Sequence, residues 1–341
     1  MLGAFRNDTC VALLSREAPR WPRPTGFVTH SLLWSPTCKV ALVHVWKNAG
    51  TAAHRFLLVA NRSTSSLSRR AAGLGERCLD FETIFDSSSY AVNGTAGTTA
   101  RTRSTIRRVL TQRASTAHRQ EPGYFVAALI RDPSARYVSS FLEAASAMQR
   151  REASAWHNWW TAGNWWSAHA SNNKTALLDA LERFVQHESS FEPFSTQQDA
   201  DSQRVFARNF HAAPQAVFLS DWRGVPIHVD HLGRVDSLRA ELELLLNRRR
   251  SSTEVTAGPA ASRTEDTTSR LPTVHHSALA AKRPLSAADL LTRPGLQRRI
   301  CAILRVDYCC FGFEWPSACT GMTCTPASSH PPQPPPCPPS F

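Results

Sequence analysis

The chain has 341 residues, of which 42% are hydrophobic and 19% charged, and its formal net charge is +12 at pH 7. This composition excludes a fully disordered chain, and the length suffices for one large α/β domain or two small ones. The charge excludes an acidic solvating protein and favours a polyanionic partner, such as nucleic acid, an anionic polysaccharide or a phosphate-rich cofactor. No apolar run approaches the roughly 18 residues that a membrane helix requires, and no signal peptide or anchor is visible.

Composition divides the chain into three parts. Residues 1–36 carry Arg and Pro without hydrophobic periodicity, which predicts an extended N-terminal segment. A main domain is predicted over residues 37–320, with a flexible insertion at the Ser/Thr-rich residues 250–270. The Pro-rich residues 321–341 predict a disordered tail.

Periodicity within the main domain predicts strands that alternate with helices. Residues 39–45 and 124–130 are continuous apolar runs, typical of strands buried on both faces. Asp132 and Pro133 suit the N-cap and first position of a helix. Further helices are predicted over 177–185, 235–246 and from Pro294 to Leu304, and a short strand over 216–219. The alternation predicts an α/β fold with a parallel sheet covered by helices.

The nine cysteines are concentrated near the C-terminal end, where residues 301–337 hold most of them. One interpretation is a set of reduced, partly buried thiols, and the other is a disulfide-tied C-terminal subdomain in an oxidising compartment. Four N-x-S/T triplets permit the second interpretation; they begin at Asn7, Asn61, Asn93 and Asn173. The absence of any C-x-x-C pair disfavours a zinc knuckle.

The first segment whose residues could bind a ligand lies between the first predicted strand and the helix after it. A turn of small residues at this place lets backbone N–H groups close on an anion. Here Gly50 permits close approach, Lys47 supplies a cation and Thr51 supplies a hydroxyl. The alternative is an ordinary turn with a solvated Lys47. The nucleotide P-loop is excluded, because G-x-x-x-x-G-K-S/T does not occur here.

The second stretch follows the predicted strand 124–130. Arg131 lies where that strand ends, and Ser139 lies two turns into the next helix. A guanidinium and a hydroxyl placed in this way can hold one phosphate between them. The alternative is a capped helix that carries Arg131 and Arg136 as surface charges.

The two stretches together resemble the donor-binding motifs of sulfotransferases that use 3′-phosphoadenosine 5′-phosphosulfate (PAPS). Residues 47–52 read K-N-A-G-T-A, similar to the phosphosulfate motif K-x-A-G-T-S/T. Residues 131–141 read R-D-P-S-A-R-Y-V-S-S-F and contain the complete 3′-phosphate motif R-D-P-x-x-R-x-x-S-x-F. The closest resemblance is to the Golgi carbohydrate sulfotransferases that act on heparan and chondroitin chains.

Two weaker likenesses extend the resemblance toward residue 316. H-L-G-R-V-D at 231–236 is similar to the family's G-R-x-E segment, and D-Y-C-C-F-G-F at 307–313 to its D-Y-x-x-F-G-Y segment. The chain departs from the family at Ala52, where a second hydroxyl is usual, and at Trp46, where Pro is common. The resemblance implies a P-loop-NTPase-like parallel sheet flanked by helices, the sulfotransferase fold.

The resemblance also implies an enzyme that transfers the sulfuryl group of PAPS to a hydroxyl, with PAPS as co-substrate and without a metal. Lys47 and the backbone of Asn48, Ala49, Gly50 and Thr51 would hold the 5′-phosphosulfate, and Arg131 and Ser139 the 3′-phosphate. Because the general base lies outside these motifs, no position can be carried over from the family. His118 and His54 are the candidates as catalytic base, followed by Glu76, Glu82 and Asp86.

The expected acceptor is a glycan or another hydroxyl compound, and the basic charge is compatible with an anionic one, whereas nucleic acid is not expected as a partner. The family works in the Golgi lumen or at its membrane, and this location is therefore expected for a glycoprotein of this kind. Two other functions stay open: a nucleotide-dependent phosphotransferase, and a non-catalytic module that binds heparin or RNA. The sequence does not determine the acceptor, the sulfated position or the oligomeric state.

Overall fold

The structure is a computed structural model, and it describes fourteen separate stretches of the chain. These are residues 7–18, 31–36, 39–45, 48–50, 52–53, 57, 82–85, 104–106, 108–110, 124–149, 173–189, 212–221, 223–247 and 285–325. Within them, one sheet contains the strands β1 (Ser31–Ser35), β2 (Val40–Val43), β3 (Glu82–Phe85), β4 (Phe125–Ile130) and β5 (His231–Arg234). The predicted insertion 250–270 lies outside the described residues.

The sheet is mixed but mostly parallel, with the strand order β3-β1-β2-β4-β5. β4 pairs in parallel with both of its neighbours, β2 and β5, whereas β1 is antiparallel to β2 and to β3. The predicted α/β fold class is confirmed, with β1 as the one described strand that runs against the others. The carboxyl ends of β2, β4 and β5 lie along one edge of the sheet, since Val43 is paired with Ala128 and Ile130 with Arg234.

Seven α-helices around this sheet are described along their whole length: α1 (Asp8–Glu17), α2 (Pro133–Gln149), α3 (Lys174–Ser189), α4 (Gln215–Phe218), α5 (Leu238–Asn247), α6 (Pro294–Ile303) and α7 (Arg305–Phe311). α2 begins as predicted, because Asp132 Oδ1 accepts a hydrogen bond of 2.7 Å from Ala135 N. The helices predicted near residues 177, 235 and 294 are likewise confirmed. Among the described helices, none is both long and apolar enough to span a bilayer.

Both faces of the sheet are buried. Alternate residues of β2 point to opposite sides, so Ala41 and Val43 join the larger core and Val40 and Leu42 the smaller one. The larger core includes residues from α1, α2, α3, α4, α6 and α7, and the smaller one includes residues from α5. Burial on both sides explains why the strand sequences read as continuous apolar runs rather than alternating ones.

Three disulfides tie the C-terminal segment: Cys10–Cys310, Cys301–Cys319 and Cys309–Cys324. For these six cysteines the structure supports the disulfide interpretation over the reduced one. Cys324 lies beyond residue 320, where the tail was predicted to start, so the tied segment continues to the last described residue, Thr325.

Two sequence-based expectations about local structure are wrong. Residues 8–17, which fall in the predicted extended segment 1–36, form α1, and α1 is fastened to α7 through Cys10 and Cys310. Residues 216–219 do not form a strand, because most of this segment belongs to α4. α1 has a local N-cap, since Asn7 Oδ1 accepts a hydrogen bond of 2.7 Å from Cys10 N, whereas the start of α4 is capped by a residue far away in the sequence.

Candidate active site

The two predicted donor motifs meet at the carboxyl edge of the sheet. The first follows β2 and the second follows β4, and these two strands are parallel neighbours. Asn48 Nδ2 donates a hydrogen bond of 2.7 Å to Leu129 O, across 81 residues of sequence. Ligands of open α/β sheets bind outside the carboxyl ends of the strands, so this edge is the candidate site.

The loop after β2 leads directly into a helix. Asn48 N donates to Val45 O at 3.2 Å, Ala49 adopts the left-handed φ of 58°, and Ala53 N donates to Ala49 O at 2.9 Å. Ala49 is therefore the N-cap, and the first N–H groups after it have no acceptor within the helix. Since the Asn48 N–H is used inside the loop, Ala49 and Gly50 are the described backbone donors that suit an anion.

Gly50 lies against the ring of His44. A Cβ on Gly50 would be 2.0 Å from His44 Nε2, far inside van der Waals contact. A side chain at this position would have to displace the His44 ring, so glycine lets the turn close against that ring. His44 was not among the predicted site residues.

Arg131 is half-buried directly after β4, and its main-chain N–H and carbonyl are both bound by Gln215. Its N–H donates to Gln215 Oε1 at 2.9 Å, and its carbonyl accepts from Gln215 Nε2 at 2.8 Å. Ser139 is half-buried on α2, and its hydroxyl has no hydrogen-bond partner within the described residues. Both predicted ligands of the 3′-phosphate thus follow β4, one in the loop and one on the helix.

Gln215 also contacts the other loop, because its Oε1 accepts a second hydrogen bond, of 2.5 Å, from Asn48 Nδ2. The two N–H groups of the Asn48 side-chain amide therefore donate to Leu129 O and Gln215 Oε1. This side chain stabilises the loop and has no N–H left to donate to a phosphate. No sequence signal pointed to Gln215, which is one glutamine among several and lies far from both motifs.

Asp307 fixes the start of α4. Its carboxylate accepts hydrogen bonds of 2.8 Å from Gln215 N and from Ala216 N, while Pro214 provides no side-chain cap. The carboxylate of Asp307, a residue of α7, thus acts as the N-cap of α4, a role that a residue next to the helix fills in other helices. Burial raises the pKa of Asp307 to about 6, against the opposing effect of the nearby Arg136 cation.

Arg136 is fully buried on α2, with its guanidinium 5.7 Å from the centre of the Phe218 ring. Burial lowers its pKa to about 10, and Asp307 opposes that shift, so Arg136 is a cation at neutral pH. The alternative that placed Arg136 as a surface charge is wrong.

α2 and α7 also meet where Ser134 Oγ and the Tyr308 hydroxyl share a hydrogen bond of 2.7 Å.

The two weaker motif likenesses lie next to each other. The Arg234 guanidinium, at the carboxyl end of β5, is 4.6 Å from the centre of the Phe313 ring. Burial disfavours the ionised form of Glu241 on α5, but hydrogen bonds from His231, the Arg234 N–H and Ser237 hold its pKa below the usual range. A Cβ on Gly233 would be 2.6 Å from Glu241 Oε2, so a larger residue at this position would have to displace the Glu241 side chain.

Several predicted site residues lie outside the described part of the chain: Lys47, Thr51, His54, His118, Glu76 and Asp86. Of Glu82, the structure gives the backbone, at the start of β3. The roles of these residues as leaving-group cation, phosphate ligand or general base stay predictions. Within the described stretches, no group of three or more His, Cys, Asp or Glu side chains could hold a metal ion.

The sheet is mostly parallel, and the loops after β2 and β4 lie side by side at its carboxyl edge. A family model described as "Sulfotransferase family" matches residues 30–314, which is most of the chain. The chain belongs to the sulfotransferase family, as its motifs predicted. Membership implies a sulfonate donor and an acceptor hydroxyl. The comparisons with curated proteins and with solved structures gave no match.

Proposed function

We propose that the protein transfers the sulfuryl group of PAPS to a hydroxyl group of a carbohydrate. The observation that supports this proposal most directly is the contact between the loops after β2 and β4, through Asn48 and Gln215. PAPS carries phosphates at its 3′ and 5′ positions, so a protein that holds it needs two anion sites at a fixed separation. Two loops joined by buried hydrogen bonds provide that arrangement.

The residues present suit such a donor. Gly50 lets the loop close against the His44 ring at a helix N-terminus, and Arg131 and Ser139 offer a cation and a hydroxyl. When bound, PAPS supplies an activated sulfuryl group with its 5′-phosphate as leaving group.

In an in-line displacement, the acceptor oxygen forms a bond to sulfur while the bond from sulfur to the 5′-phosphate oxygen breaks. Lys47 would stabilise the charge that develops on the leaving phosphate. A base must take the proton of the acceptor hydroxyl, and His118, His54, Glu76, Glu82 and Asp86 are the candidates.

The proposed acceptor and location rest on other features. A net charge of +12 suits an anionic glycan. Three disulfides are typical of an oxidising compartment, which agrees with a glycoprotein of the Golgi lumen or membrane.

The direct test has two parts. Calorimetry with 3′,5′-adenosine bisphosphate is expected to show stoichiometric binding, and labelled sulfate is expected to pass from PAPS to a desulfated glycosaminoglycan. A non-catalytic polyanion-binding module would instead show no affinity for the nucleotide and a steep salt dependence of heparin binding. That result would refute the proposed activity.

A further inference from the structure

The strongest unassigned feature of the site is the side chain of Gln215. It is fully buried, and its carboxamide makes three hydrogen bonds to two different loops. Two of them bind the main-chain N–H and the main-chain carbonyl of Arg131, and the third binds the side-chain amide of Asn48. One side chain thus connects the loop after β2 with the loop after β4.

We infer that Gln215 is a positioning residue that sets the separation of the two anion sites of the donor. The inference rests on the proposed function and deepens it. Gln215 is fully buried and acts by binding the main chain of Arg131 and the side chain of Asn48, so it need not contact the nucleotide. Catalytic sites lose affinity and rate steeply when a ligand is displaced by about 1 Å. A residue that fixes the positions of both loops therefore affects donor binding and rate.

The position of Gln215 is itself fixed from another part of the chain. α4 has only four residues, and its first two N–H groups are held by Asp307 of α7. α7 is in turn fastened by the disulfides of Cys309 and Cys310. Gln215 is therefore positioned by a segment that disulfides hold in place, and its carboxamide is oriented before any ligand binds.

A glutamine that merely satisfies the core would also be buried and hydrogen-bonded, so a matched control is needed. Gln297 on α6 is 4% exposed and does not belong to the candidate site, and its Oε1 has no hydrogen-bond partner in the described part of the chain. Gln215→Met and Gln297→Met both remove a buried carboxamide while keeping the length of the side chain. Unfolding temperatures of both variants show how much stability each loses.

The affinity test uses two nucleotides, 3′,5′-adenosine bisphosphate and adenosine 5′-phosphosulfate, which lacks the 3′-phosphate. Because Gln215 supports both loops, Gln215→Met is expected to weaken both nucleotides about tenfold or more. Arg131→Ala should weaken only the first, and Gln297→Met neither. Wild-type affinities in Gln215→Met, or an equal loss in Gln297→Met, would overturn the inference.

Hydrogen exchange separates this inference from the proposed function. The Arg131 amide donates to Gln215 Oε1, so Gln215→Met is expected to speed its exchange about tenfold without any nucleotide, whereas Gln297→Met should not. Unchanged exchange would refute the positioning role of Gln215 even if nucleotides bind. A wild-type protein that binds neither nucleotide would refute the proposed donor, while the exchange result still decides the positioning role.

If Gln215→Met does not fold, Asn48→Ala removes the hydrogen bonds to Gln215 and to Leu129 O, and it leaves both bonds between Gln215 and Arg131 in place. This variant should keep the Arg131 amide protected and still weaken adenosine 5′-phosphosulfate, because the loop after β2 loses its support. Unaltered affinity in Asn48→Ala would overturn the bridging role.

Discussion

At position 50 the chain has no room for a side chain, and this makes a sharp prediction. In Gly50→Ala the new methyl group must displace the His44 ring or the loop, an overpacking that costs about 1–3 kcal/mol. We expect the variant to lose most of its affinity for 3′,5′-adenosine bisphosphate, as measured by calorimetry. Gly295→Ala is the control, because a Cβ there meets nothing within 4 Å.

A second substitution tests the cause. If the His44 ring is the obstacle, His44→Ala in the Gly50→Ala background should restore part of the lost stability. Equal stability of the single and the double variant would show that the obstacle lies elsewhere in the loop.

Lys47 is predicted to act on the leaving group. Lys47→Ala should lower the rate of sulfuryl transfer about a hundredfold, since loss of a charged contact in the transition state costs about 3 kcal/mol. The control is Lys174→Ala, which removes an exposed lysine paired with Asp289 at 2.8 Å and should leave the rate unchanged. Wild-type turnover in Lys47→Ala would remove Lys47 from the donor site.

Among the elements, α4 shows most clearly what the sequence could and could not predict. Its segment looked like a short buried strand because it is apolar and brief. It is helical because Asp307, more than 90 residues later, accepts from its first two N–H groups. No local pattern contains that contact.

By contrast, α2 and β4 were predictable because their signals are local. The N-cap Asp132 is immediately followed by Pro133 at the start of the helix, and the apolar run of β4 records burial on both faces. The two donor motifs could be found from the sequence for the same reason, because each lies within a dozen residues. What joins them, Gln215, is visible only once the chain is folded.

The contact between α7 and α4 also predicts a pH effect. The raised pKa of Asp307, about 6, means that the folded protein holds this proton more tightly than the unfolded chain. The contribution of Asp307 to the free energy of unfolding therefore falls as pH rises from about 4 to about 6, and is constant above that range.

Urea unfolding of the wild type and of Asp307→Asn can isolate this contribution from those of other carboxyls, such as Asp289, whose pKa is lowered. The stability of the wild type relative to the variant should be greater at about pH 4.5 than at about pH 7. A relative stability that increases with pH would contradict the assigned direction.

For the whole molecule, the disulfides differ in how much chain they enclose. Cys10 and Cys310 are separated by 300 residues, and Cys309 and Cys324 by 15. Because a longer loop loses more chain entropy, replacing the first pair by alanine should lower the free energy of unfolding by about 6 kcal/mol, against about 3 kcal/mol for the second. Denaturant titration without reductant gives both values, and the reverse order would contradict the prediction.

The Cys10–Cys310 bond has one more consequence, for limited proteolysis. It closes residues 10–310 into a ring, so one cut within the ring cannot release a fragment. Trypsin acting at the run Arg248-Arg249-Arg250, for example, would leave two pieces that migrate as one band until a reductant separates them. A preparation of this protein can therefore be nicked and still look intact on a gel run without reductant.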